Sequence, residues 1–323
     1  MLSNHISRRP FLAGMSAAAG IATVAPHLFA APLNAQASGS TSLPIGFSTL
    51  GCPAWNWNKV LDFAKQYGFT VVELRGIEGN MDLLACPEFS SGRIEQSMKD
   101  VAHRGLHISS VDSSSSMHES DPQKRKAQLE DARRFIDLAS KLGVPYIRVF
   151  GNQIEGTPDE AIARVASSLR ELGDYAGPKN VTVLLESHGD FIHSPILKEI
   201  FEKADSPHVA LLWDANHTYV QGGEDPDYTV KQVGKYIRHT HLKDSVGKGN
   251  DSHYVLTGRG EVPVKRQVQM LVDIGYKGYY SYEWEKVWHP DLQDPEIAFP
   301  DYASVMTGYL KDAHAHRHKV RVG

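Results

Sequence analysis

A single (β/α)8 barrel, an α/β fold, is the class this sequence predicts, on three observations. From residue 43 onward, short apolar runs alternate with amphipathic ones at a spacing of about 30 residues, the size of a βαβ unit. There are eight such runs, and no Pro/Gly/Ser-rich linker follows Ser42 to divide them into two domains. Nearly every run also ends on an ionisable residue, which in a barrel of this kind falls on the face where active sites sit.

The elements follow in order. Strands are expected at 45–49, 71–74, 107–111, 146–150, 181–185, 209–213, 237–241 and 279–283. The fifth, VTVLL, is a run of five apolar or β-branched residues, the composition of a strand buried on both faces in a parallel sheet. Between the strands lie NKVLDFAKQYG, KAQLEDARRFIDLASKLG and VKRQVQMLVDIG, where apolar residues recur at three and four positions and Gly closes the helix. Gly68, Gly105, Gly143 and Gly275 each stand just before an expected strand. A doubly wound open sheet is the alternative. It is disfavoured because the first strand runs into GCPAWNW rather than a G-x-G-x-x-G turn.

The chain has 323 residues, 41% hydrophobic and 22% charged, which is ample for one large core. Its 34 Lys+Arg against 38 Asp+Glu, a formal net charge of -4, lack the concentrated basic face that nucleic acid requires. The N-terminus reads SRRPFLAG, then a small and weakly apolar stretch, then Ala35-Gln36-Ala37, an A-x-A cleavage signal. Arg8-Arg9 followed by Phe11-Leu12 resembles the twin-arginine export signal. Residues 1–37 are therefore expected to be a signal peptide read by the twin-arginine export machinery, and 38–323 an exported or periplasmic barrel domain. A transmembrane anchor is the alternative, disfavoured by the Gly and Ala content; no stable membrane insertion is expected after cleavage. Cys52 and Cys86 are too few for a disulfide framework, and one bridge between them is left open.

Glu73, Asp112, Arg148, Glu186, Asp214, His239, His241 and Glu283 all lie at or near expected strand ends. Any one of them has a bland reading as a rim salt bridge. Glu186, Asp214, His241 and Glu283 come from strands five to eight in steps of 28 (186 to 214), 27 (214 to 241) and 42 (241 to 283) residues. The first two steps are one βα unit each, and the third is lengthened by SVGKGNDSHYVLTGRGEVP. Three carboxylates and an imidazole form a hard, oxygen-rich set that suits Mn2+, Mg2+ or Co2+ ahead of Zn2+.

The segments LLESHGDF, LLWDANHTY, IRHTHLKD and GYYSYEWE resemble the motifs of the sugar phosphate isomerase/epimerase family, the xylose isomerase-like TIM barrels, across essentially the whole mature chain. The resemblance implies that Glu186 and Glu283 are metal ligands that also move protons on opposite faces of the substrate. It implies that Asp214 and His241 are ligands and that His217 touches substrate. Two departures turn the expectation away from ketose 3-epimerisation. Gly247 stands where those enzymes carry an Arg, with Arg259 the nearest replacement, and Ile192 stands where they carry a Glu.

The expected chemistry is abstraction of a carbon-bound proton next to a carbonyl or hydroxyl, with a base in reach and a cation to hold the developing charge. Lys243 either reaches the same oxyanion or pairs with Asp244. His188 and His217 are expected at the substrate or behind the ligands, and Glu73 at the substrate. Trp55, Trp57, Trp284 and Trp288 either stack on a sugar face or pack at the rim. Export favours a free sugar, cyclitol or glycoside over a phosphorylated one. The leading function is a metal-dependent isomerase or epimerase of carbohydrate metabolism. A lyase or dehydratase acting on a 3-keto-glycoside or inosose comes second, and a non-catalytic periplasmic sugar-binding protein third. An endonuclease IV-like nuclease would need a denser His cluster. The sequence leaves homo-oligomerisation open.

Overall fold

The structure, a computed structural model, describes residues 43–322; the expected signal segment 1–37 lies outside the described residues. The strands β1 (Ile45–Ser48), β2 (Val71–Leu74), β3 (His107–Ser116), β4 (Tyr146–Phe150), β5 (Thr182–Glu186), β6 (Val209–Asp214) and β7 (Ile237–Leu242) all fall where the apolar runs predict them. Two short strands not expected, β8 (Asp244–Val246) and β9 (His253–Val255), form an antiparallel hairpin in the long loop after β7. The last strand, β10 (Tyr280–Tyr282), stops one residue before Glu283. Eight of these strands close a parallel barrel in the order β1-β10-β7-β6-β5-β4-β3-β2.

The helices are α1 (Trp57–Gln66), α2 (Ile94–His103), α3 (Pro122–Leu142), α4 (Pro158–Ala176), α5 (Ser194–Ala204), α6 (Ala215–Val220), α7 (Pro226–Val233), α8 (Val264–Asp273) and α9 (Pro295–Val322). Their starts are set by short polar caps: the Asn56 side chain accepts from Lys59 N, and Thr157 with Glu160 forms a reciprocal capping box. Gly143 ends α3 at φ 66, a left-handed turn that a Cβ would strain, and Gly68, Gly105 and Gly275 sit in the same region.

Side chains alternate across each strand, so one parity faces the helices and the other the barrel interior. In β5 and β6 the outward set, Val183, Leu185, Leu211 and Trp213, joins the large apolar core. The inward set begins with a small apolar plug, Leu184, Ala210 and Leu212 against Tyr146, and then turns to Glu186 and Asp214. The strand end therefore changes from apolar to charged within one interior layer.

β3 runs five residues past its expected end. Its serines keep the backbone paired where an apolar run would have stopped: Ser113 Oγ donates to Arg148 O at 2.7 Å, and Ser116 N donates to Gln128 Oε1 at 2.8 Å. Cys52 and Cys86 are both buried and unbridged. No helix among the described residues is long and apolar enough to cross a membrane.

Candidate active site

Glu186, Asp214, His241 and Glu283 meet inside the barrel mouth, each offering one ligand atom, and those atoms all lie within 4.8 Å of one another. All four residues are buried. Asp214 divides its carboxylate by function: Oδ1 caps α6, accepting from Asn216 N and His217 N at 3.0 Å each, and Oδ2 faces the cluster. His241 does the same with its ring. Nε2 lies 2.9 Å from Glu73 Oε1, and Nδ1 faces Glu283 Oε2 at 3.2 Å, Glu186 Oε1 at 3.6 Å and Asp214 Oδ2 at 3.9 Å. Asp214 Oδ2 and His241 Nδ1 are buried without a hydrogen-bond partner. Buried polar atoms are normally satisfied, so these two, converging with two carboxylates, fit a cation.

Arg148 and Lys243 supply fixed positive charge. Arg148, on β4, donates Nη1 to Glu186 Oε2 at 2.8 Å, with its guanidinium 3.9 Å over the Phe150 ring. Burial alone raises the Glu186 carboxyl, but Arg148 and His241 outweigh it and bring it down to about 2. Lys243 Nζ lies 2.5 Å from Glu283 Oε2, 2.6 Å from Glu285 Oε1 and 2.7 Å from Asp214 Oδ2, the last without hydrogen-bond alignment. Glu283 is likewise held well below the carboxylate range, since His241 and Lys243 outweigh its burial. The alternative pairing of Lys243 with Asp244 does not occur. Asp244 instead accepts from four backbone N–H groups, those of Ser245, Gly258, Gly260 and Val262, at 2.8 to 3.1 Å.

Three expected substrate contacts lie elsewhere. Glu73 is fully buried beneath His241, where Oε2 takes His239 Nε2 at 2.6 Å and Ser281 Oγ at 2.9 Å. Its neighbours are therefore imidazoles and a hydroxyl rather than a cavity. Trp55 packs in the outer core against Phe63 and Phe299, because α1 and α9 cover it. Arg259 points to the surface and pairs with Asp301 at 2.5 Å. His217 and His188 do flank the cluster. His217 Nδ1 lies 3.1 Å from Ser187 O and 3.4 Å from Asp214 Oδ2, and the two rings meet edge to face at 5.3 Å. Of the tryptophans, Trp57 and Trp284 are buried and Trp288 is exposed.

Sequence reasoning noted Arg148 and His239 but gave them no role, and it missed Glu285 and Asn152. Two of these carry a readable signal: Glu285 shares the parity of Glu283, and Arg148 breaks an otherwise apolar strand.

The profile of the family described as xylose isomerase-like TIM barrel matches residues 61–301. A fructoselysine 3-epimerase of Shigella flexneri is 28% identical over 176 residues, 50% of this chain and 60% of its own. An inosose dehydratase of Geobacillus thermodenitrificans is 28% identical over 246 residues, 66% of this chain and 79% of its own. The match thus spans about 60% of the epimerase's length. Among solved structures, the IolI protein with a bound zinc atom superposes with a TM-score of 0.71 at 18% identity, covering 84% of this chain and 99% of that one. The 3-keto-D-glucoside 4-epimerase YcjR of E. coli superposes with a TM-score of 0.66 at 18% identity, covering 83% and 98%.

Proposed function

The chain belongs to the xylose isomerase-like TIM-barrel family, and within it we propose a divalent-metal-dependent isomerase or epimerase that moves a carbon-bound proton on a non-phosphorylated sugar or cyclitol. The observation that carries this reading is the pair of glutamates, Glu186 and Glu283, reaching one cluster from different strand ends together with Asp214 Oδ2 and His241 Nδ1, neither of which has a hydrogen-bond partner. Glu186, Asp214, His241 and Glu283 would hold the cation, with Mn2+, Mg2+ or Co2+ favoured by the oxygen-rich donor set and Zn2+ next. Such an ion supplies a Lewis acid for substrate oxygens and offsets the negative charge left when the proton departs.

The protein's own groups handle the proton. One glutamate takes it from carbon, leaving an enediolate, and the other, once protonated from solvent, returns a proton to the opposite face. Arg148 fixes Glu186 in place, and Lys243 sits 2.5 Å from Glu283 Oε2 with an ammonium that steadies charge on that side. His217 and His188 border the space where the substrate hydroxyls would lie. Similarity to a fructoselysine 3-epimerase supports stereochemical inversion.

The longer match to an inosose dehydratase favours a second reading, elimination after the same proton abstraction, with water or an aglycone leaving from the neighbouring carbon. The two separate in one experiment: metal analysis, then incorporation of solvent deuterium into a panel of free sugars, 3-keto sugars and inososes. Exchange with a new stereoisomer supports the first, and exchange with loss of water or aglycone the second. Metal content near zero with no exchange would leave a sugar-binding protein. For location, the proposal is export through the twin-arginine route, supported by the Arg8-Arg9 motif. Replacing both by Lys should hold precursor in the cytoplasm, and normal export of that variant would refute it.

A further inference from the structure

Beside the ligand cluster is a cavity of about 190 Å³ lined by His188, Gly189, Ile192, His217 and Gln221. That is many times the roughly 15 Å³ that one water needs. A comparable cavity, lined by Leu84, Phe89, Ile94 and Arg134 among others, includes none of the cluster residues. The first cavity contains no Lys or Arg. Beside it, the carboxylates of Asp214 and Glu186 lie 3.4 Å and 4.0 Å from the His217 ring nitrogen. Arg148 is committed to Glu186 beneath the Phe150 ring.

His188, facing this space, is held by a chain of hydrogen bonds. Asn152 Nδ2 donates to Ser116 Oγ at 2.6 Å, and that hydroxyl donates on to Ser114 O. The amide oxygen of Asn152 is thereby turned toward His188 Nδ1, 3.0 Å away. An amide oxygen only accepts, so Nδ1 carries the proton and Nε2 keeps its lone pair. Phe150 packs on the ring at 4.6 Å and His217 at 5.3 Å. The two loops are locked together as well. Asn152 adopts φ 57, its carbonyl accepts from Asp190 N, and a Cβ on Gly189 would lie 2.2 Å from that carbonyl oxygen. His188 Nε2 has no hydrogen-bond partner among the described residues and is not among the solvent-shielded atoms.

We propose that the Ser116–Asn152–His188 chain is a specificity device: His188 Nε2 accepts a hydrogen bond from a substrate hydroxyl, and the cavity takes an uncharged, hydroxyl-bearing end while rejecting phosphate or carboxylate. The inference rests on the proposed sugar chemistry and extends it to the part of the substrate away from the reacting carbon. An anion there would meet an acceptor nitrogen and the apolar side of Ile192, with no Lys or Arg in the lining to receive it. A substrate lacking the hydroxyl would leave the nitrogen unpaired, the arrangement by which enzymes discriminate hydroxylated from deoxy substrates.

The test measures deuterium exchange from D2O by the full-length mature protein with excess Mn2+, using free ketohexoses and 2-keto-myo-inositol, the terminal phosphates of the ketohexoses, and their 6-deoxy counterparts. Wild type should prefer the neutral hydroxylated probes by about tenfold or more. His188→Phe keeps the ring packing and removes the acceptor, so the hydroxyl-over-deoxy preference should vanish, chiefly through KM. Asn152→Leu removes the acceptor that orients the ring, so the hydroxyl-over-deoxy preference should weaken through KM with kcat nearly unchanged, a split that a purely structural residue would not produce. Equal turnover of phosphates and neutral sugars by wild type, or a preference that survives in His188→Phe, overturns the device. Exchange into no probe at all overturns the proposed function first, and the device with it.

Discussion

His241 belongs to two clusters at once, and they differ in how completely their atoms are paired. Below it, Glu73 joins His239, His241 and Ser281 through bonds of 2.6 to 2.9 Å, leaving only His239 Nδ1 open. Above it, Arg148 pairs with Glu186 and Lys243 with Glu283 and Asp214, yet two buried atoms, Asp214 Oδ2 and His241 Nδ1, have no hydrogen-bond partner. Both clusters have the composition of a metal site, and only the upper one has the unfilled donor set. Incomplete pairing, rather than the number of acidic groups, marks where a ligand belongs. The lower cluster fixes the tautomer and orientation of the shared imidazole.

The contrast can be broken from above. Glu283→Gln should lower turnover by roughly 100- to 10,000-fold, the usual cost of losing a positioned base or acid. Excess Mn2+ should restore occupancy without restoring rate. If added metal rescues most of the rate, Glu283 is a ligand only and the two-glutamate mechanism is wrong.

Removing a countercharge tests the upper cluster in another way. Arg148→Met leaves Glu186 buried and unpaired, so unfolding in urea should show a loss of about 3–5 kcal/mol. Because Glu186 is held down at about 2, it contributes stability above the ordinary carboxylate range that is lost as pH falls toward 2. Without Arg148 the acid limb of the stability curve should therefore move to higher pH. Adding Glu186→Gln should recover most of the loss, and a double variant no better than the single would contradict the pairing.

The lower cluster should matter less, and through affinity. Glu73→Gln is expected to weaken metal binding by about 10- to 100-fold, read by competition with a chelator, because its carboxylate sets the His241 ring. Unchanged affinity would mean that Glu73 only fills the barrel.

The smallest effect concerns protons. Burial lowers the His241 pKa, but Glu283 and Glu73 outweigh it and raise it well above the ordinary value. That proton favours the fold at low pH and is lost as pH rises through the raised value, so a cation at Nδ1 must displace it. Metal affinity should then climb by up to tenfold per pH unit below that point, with about one proton released per ion. Calorimetry in two buffers of different ionisation enthalpy measures this, and zero release would remove His241 from the ligand set.

The eight strands were legible because parallel strands buried on both faces are short apolar runs, and VTVLL shows it. The four-residue cluster was legible because side-chain parity and position at a strand end both show in a linear sequence. Depth along the barrel axis does not. Glu73 and Glu186 sit near the ends of VVEL and TVLLE, yet one lies below His241 and the other beside it, since stagger between neighbouring strands sets height. The β6–β7 pairing slips by one residue at Arg238, as Leu211 faces Ile237 while Leu212 faces His239. Trp55 and Arg259 were misplaced for a related reason: nearness to a strand end does not fix which way a loop turns. The β8–β9 hairpin escaped notice because its strands are three residues each.

The four backbone bonds received by Asp244 tie the start of the long loop after β7 to its far end at residues 258–262. Gly260 is required there, because a Cβ would lie 2.2 Å from Asp244 Oδ1. The loop is thus a closed handle whose two ends are clamped together beside Lys243. Inside it, Tyr254 donates to Glu285 at 2.8 Å, and Glu285 in turn pairs with Lys243, so that one residue ties the loop to the cluster. For an engineer the clamp marks a cassette boundary: Asp244, Gly260 and Tyr254 are the residues to keep, and the others between the two ends are the ones to vary.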